Sequence, residues 1–141
     1  MASLHPIQAD FQQALRACLP KSLADFLGDI SAVSASIWDQ GGLTIEIIDG
    51  TPPEWSPTAP APRDLLLEFF SCVCGDRSLE RTFEAAPTLD GFESKLRLAF
   101  PDNPIHLEIE PDEPSWSYTL YVLVGPVSSP IKFITLFWSV D

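Results

Sequence analysis

The sequence predicts an α+β fold in which helices pack on one face of an antiparallel β-sheet. Three observations carry the prediction. Apolar residues recur at helical spacing near the start of the chain and again over 89–100. Between and after those blocks, short runs alternate apolar with polar residues or are apolar on both faces, as strands are. The composition is 45% apolar and 20% charged, with nine Phe and four Trp in 141 residues. That suffices for one core, so a single domain over 1–141 is expected.

The elements follow in order. Pro6 suits a first helical turn, and Ile7, Phe11, Ala14, Leu15 and Cys18 keep helical spacing behind it. Pro20 ends that helix, because it has no N–H and its ring clashes with the preceding turn. Ser22 is placed to cap a short second helix, with Leu23, Phe26, Leu27 and Ile30 on one face and Gly28 weakening its end. Two strands are then expected. Val33, Ala35 and Ile37 alternate with Ser34, Ser36 and Trp38, while Leu43, Ile45 and Ile47 alternate with Thr44 and Glu46. Between them "DQGG" offers the glycines of a hairpin turn.

The stretch "DGTPPEWSPTAPAPRD", residues 49–64, holds five of the fourteen prolines and reads as a stiff loop between strands. Behind it "DLLLEFFSCVC" is apolar on both faces, as a central strand would be. "SLERTFEAA" and "LDGFESKLRLAF" read as helical. In the second, Asp90 and Glu93 have the spacing of a capping box, and Phe92, Leu96, Ala99 and Phe100 form the stripe to be buried. Pro101 closes that helix, and "IHLEIE", "WSYTLYVLV" and "IKFITLFWSV" complete the chain as three strands.

Set side by side, the halves share one order of elements, a possible internal duplication of the form ααβββ-ααβββ with pseudo-repeats 1–74 and 75–141. Helices, three strands, helices, strands is also an order similar to that of the dimeric type III secretion chaperones, which are likewise small and acidic. The similarity is one of architecture, with no shared motif and without their closing helix.

Motifs for chemistry are sparse. Cys72 and Cys74, on a strand, would share a face, but a zinc site needs two further ligands and only His5, His106 and Cys18 remain. His106, Glu108 and Glu110 alternate along one strand, where acid–base chemistry or a metal would need a third group, and a polar face turned to water is the reading preferred. No nucleophile elbow, metalloprotease helix or phosphate-binding glycine loop is present. No enzyme activity, cofactor or metal is therefore expected.

Charge says more. Twenty acids against eight Lys and Arg give −12, which repels nucleic-acid phosphates and anionic lipid and favours a basic partner. Six acids and no base lie between Lys21 and Arg63, and six acids against Lys132 alone follow residue 98. Each acidic, proline-rich loop carries one tryptophan: Glu54 and Trp55 in the first, and Glu110, Asp112, Glu113 and Trp116 in "EIEPDEPSWS". An aromatic beside carboxylates on a stiff loop can anchor a basic protein, unless the ring folds back onto the core. The most apolar stretch, 118–140, is broken by Gly125, Pro126, Pro130 and Lys132, so a membrane span is not expected.

The expectation is a small, acidic, non-catalytic binding module of the cytoplasm, of inhibitor, immunity, adaptor or chaperone-like kind, for a basic protein. Two alternatives compete with it. One is a nucleic-acid mimic, with carboxylates regularly spaced along one face. The other is a small-molecule binder or enzyme, with a pocket lined by Phe69, Tyr118 or Trp138. A homodimer follows if one of the apolar C-terminal strands is an exposed edge.

Overall fold

The computed structural model describes residues 2–4, 11–37, 41–52, 55, 59–73, 82–112 and 117–140. Along the chain come β1 (Ala2–Leu4), α1 (Phe11–Cys18), α2 (Lys21–Ile37), β2 (Gly41–Asp49), α3 (Arg63–Val73), α4 (Thr82–Ala99), β3 (Ile105–Asp112), β4 (Ser117–Val124) and β5 (Lys132–Val140). The strands form one antiparallel sheet in the order β1-β2-β5-β4-β3, and the helices pack against it, so the expected α+β class is the observed one.

The register sorts strand residues into two faces. Leu43, Ile45 and Ile47 of β2 lie opposite Trp138, Leu136 and Ile134 of β5, which lie opposite Tyr118, Leu120 and Val122 of β4. All nine are buried, and they share a cluster with Phe11, Leu15, Leu23, Leu27, Leu66, Phe69, Phe70, Leu89, Phe92 and Leu96 from the four helices. This is the inner face. Phe69, Tyr118 and Trp138, expected as the lining of a pocket in the small-molecule alternative, are packed into that core.

Helix α1 presents Phe11 and Leu15 to the core and stops before Pro20. Pro6 and Ile7 lie outside the described residues. Helix α2 then starts at once, with Ala24 N–H donating to Pro20 C=O at 2.9 Å. It does not end near Gly28. A Cβ there would clash with the Gln12 side chain, so the glycine permits close approach of α1, whose Gln12 Nε2 donates to Ala24 C=O. Asp25, between Arg16 and Lys21, has its carboxyl held below the usual range, first by Lys21 and then by Arg16.

Several expectations are corrected here. Residues 33–37 are the end of α2 rather than a strand. The buried stripe Leu23, Leu27, Ile30, Ser31 and Ser34 keeps helical spacing, with serines where a strand reading puts polar side chains in water, and Val33 faces out. Gly41 and Gly42 pair with Val140 and Ser139 inside β2, so they are no hairpin turn. "DLLLEFFSCVC" is helical through Val73, and Cys72 is buried on that helix, so it shares no strand face with Cys74, which lies outside the described residues. A run apolar all round has no period of its own, and burial on a helix satisfies it as well as burial in a sheet. Finally, α4 continues through Pro87, so Asp90 and Glu93 are no capping pair: Arg63 of α3 holds them at 3.0 and 3.5 Å.

With two expected strands absorbed into helices, a helix pair still precedes strand twice along the chain, α1 and α2 before β2 and α3 and α4 before β3. A possible duplication would leave that order, but with the division ahead of α3 rather than at residue 74. The described strands divide two to three, rather than three to three. Among the described residues one strand, β2, lies between the helix pairs, which departs from the element order that resembled the secretion chaperones. Strands β4 and β5 each have neighbours on both sides, so neither offers the edge on which the expected homodimer rested. Among the described residues no helix is long and apolar enough to cross a membrane.

Candidate functional site

The second face of the sheet is built by the other half of each alternation. Across it run four cross-strand rows: Ile48, Phe133, Leu123, His106; then Glu46, Thr135, Tyr121, Glu108; then Thr44, Phe137, Thr119, Glu110; then Gly42, Ser139, Ser117, Asp112. Among the described residues no helix is seen to bury this outer face, yet Leu123 and Phe133 of its first row are hidden. Leu123 is 0% and Phe133 2% exposed.

Phe133 is covered in part by the proline-rich loop. Gly50, at a positive φ of 85° that suits glycine, donates its N–H to Ile131 C=O, turning the chain out of β2. Trp55 N–H donates to Pro52 C=O, and the indole stands edge-on to Phe133 with centroids 5.2 Å apart. Ala61 N–H then donates to Leu107 C=O at 2.7 Å, on the free edge of β3, just before α3 enters the inner layer. The described anchors thus pass from β2 to the outer face, to the sheet edge, and to the other side. The loop is a strap. Its bond to β3 also occupies a strand edge that would otherwise invite another strand.

Behind the strap, Tyr121 leans on Phe133 (5.8 Å between centroids) and donates its hydroxyl to Glu110 Oε2 at 3.0 Å. Burial first, and the Glu110 hydrogen bond and charge second, push the phenol up to about 12. His106 Nε2 donates to Glu108 Oε2 at 2.7 Å, the tautomer a carboxylate acceptor requires. Glu108 is only 4% exposed, so the polar-face expectation for this strand fails at its centre. A carboxylate so enclosed needs a donor, and His106, two residues along the same face, supplies one.

The expected binding residues are placed as follows. Trp55 is half-buried, one edge on Phe133, and its face of the sheet also holds Glu110, which is exposed. Asp112 ends β3 opposite Ser117. Glu54, Glu113 and Trp116 lie outside the described residues. Trp55 and Glu110 are thus brought to one face by the strap and the register.

Sequence reasoning missed Phe137. It projects from β5, the middle strand, and is 39% exposed. Its signal was the alternation Phe133, Thr135, Phe137, Ser139 on one face, but the covered and open ends can be told apart only once the strap is known. Glu46, also missed, makes no ion pair among the described residues and lies on the row next to Phe137. The outer-face positions of the strands hold acids and aromatics and no Lys or Arg.

Two clefts elsewhere have described linings. One of about 440 Å³ runs between α4 and β3, with Leu96, Arg97, Pro101, Pro104, Ile105 and Leu107. Another of about 480 Å³ is lined by Lys21, Asp25, Phe26, Asp29 and Lys95. Neither includes His106 or Glu108. Among the described residues no three His, Cys, Asp or Glu side chains are grouped to hold a metal.

The chain matches no family model, and no curated protein or solved structure shows significant similarity to it.

Proposed function

We propose that the protein is a small, acidic, non-catalytic binding module that engages a basic protein through the outer face of its sheet. One observation carries the reading: a sheet face with exposed Phe137 at its centre, Glu46 and Glu110 beside it, and no Lys or Arg on its strand positions. Carboxylates on a common face raise the approach rate of a cationic surface, and an exposed aromatic gives the contact area that holds it. The nucleic-acid mimic is less well served. Along β3 the regular row of acids is interrupted at Glu108, which is buried against His106.

The test is affinity capture from the native cell with the wild-type chain and a Glu46→Lys/Glu110→Lys variant, compared at low and high salt. Capture of proteins with basic surfaces by the wild type, lost in the variant and weakened by salt, supports the proposal. Capture that the double reversal leaves unchanged contradicts it.

A further inference from the structure

Resting on that reading, we infer that Phe137 is the seat of an arginine side chain from the partner, with Glu46 and Glu110 as the carboxylates that flank its guanidinium.

Phe137 is unlike the other aromatics of its face. Phe133 is closed in by Trp55 and Tyr121, whereas Phe137 makes no ring contact among the described residues. Its cross-strand neighbours are Thr44 and Thr119, and its same-face neighbours along β5 are Thr135 and Ser139. These side chains are short, and with 39% of Phe137 exposed part of the ring stays open to a ligand. Of the large apolar residues exposed among those described, Val33, Leu98 and Ile131 lie on helices or a turn, and Phe137 alone is in the sheet.

The surroundings select the kind of ligand. Glu46 is a diagonal neighbour, about 7–8 Å from Phe137 between backbones. Glu110 is two strands away, about 10 Å. Tyr121 holds Glu110 through Oε2, and the residue remains exposed, which leaves Oε1 for an incoming donor. An aromatic face with carboxylates at that distance suits a planar cation that can stack and donate sideways at once. Guanidinium does both, while an ammonium is a compact, strongly hydrated charge. A quaternary ammonium prefers a cage of several rings, and one open ring is not a cage. A second copy of this chain would bring Glu46 and Glu110 against carboxylates of the same face, so self-association here is opposed by charge.

The experiment titrates the full chain with two synthetic Gly/Ser-spaced peptides of equal length and charge, one carrying arginine and the other lysine, at low salt. The arginine peptide is expected to bind about threefold to fivefold tighter, the margin an exposed cation–π contact gives. Phe137→Leu, which keeps an apolar side chain without a π face, should erase that margin while leaving the lysine peptide nearly unaffected. Glu110→Gln should weaken both peptides. Equal binding of the two peptides, or a preference that survives Phe137→Leu, overturns the arginine seat. If both peptides bind, lose affinity in Glu46→Lys/Glu110→Lys and ignore Phe137, the seat is overturned and the basic-partner reading stands. If neither binds the wild type, both fall.

Discussion

The two faces of one sheet show how differently alternate residues of the same strands are used. On the inner face Trp138 is fully buried among Leu43, Tyr118 and the helices, and Leu136 and Ile134 continue the same layer. One position away on β5, Phe137 lies among threonines with 39% of its surface exposed. The inner face is covered by four helices, each giving apolar side chains to one cluster. On the outer face, among the described residues, the strap sets Trp55 on Phe133 in the first row, while Phe137 in the third keeps that exposure. Where a face is packed, its chemistry serves stability; where it stays open with one sign of charge, it is available for recognition.

The sharpest test of the contrast is a pair of substitutions at neighbouring positions. Trp138→Ala should cost about 3–5 kcal/mol, the usual loss for removing a large buried aromatic. Phe137→Ala should change stability by less than about 1 kcal/mol, as exposed positions do. Urea unfolding of both variants measures the difference. Equal losses would mean that the outer face is packed too.

Next in size is the strap. Trp55→Ala removes an edge-on aromatic pair and uncovers Phe133, a loss of about 2 kcal/mol. An unchanged urea midpoint would show that the loop merely connects. The smallest effect is electrostatic. The Tyr121 phenol, raised to about 12, holds its proton more tightly in the folded chain than in the unfolded one, where tyrosine titrates near 10. Its contribution is therefore complete below about pH 10 and is lost as the pH climbs through about 12. Glu110→Gln should lower the ultraviolet titration midpoint of Tyr121 and leave it above 10, since burial is the larger cause. A midpoint that does not move would separate Glu110 from Tyr121.

Much of this fold was legible where periodicity was unambiguous. β2 from Leu43 to Ile47, the three C-terminal strands, α1 and the second part of α4 follow alternation or helical spacing that any compact fold must honour. Two segments were misread for a common reason. In 33–37 and 64–73, burial is set by partners distant in sequence: small serines pack inward on α2, and a run apolar on all sides is absorbed by a helix packed against α4 and α2. The candidate site was half legible. Trp55 and Glu110 stood out by composition, but their meeting on one face depends on the β2–β5 and β3–β4 registers and on Ala61 reaching Leu107. Phe137 could not be distinguished from Phe133, because alternation gives both the same face and only the strap separates them.

The central claim is that recognition occurs on the open end of the outer face. The most direct measurement follows side-chain methyl and ring NMR signals of the full chain while the arginine peptide is added. The account predicts saturable shifts at Phe137, Thr44, Thr119 and Thr135, with the inner-face methyls of Leu120, Leu136 and Val122 unmoved. Shifts centred on the helices, or on the α4–β3 cleft with Phe137 silent, would contradict it.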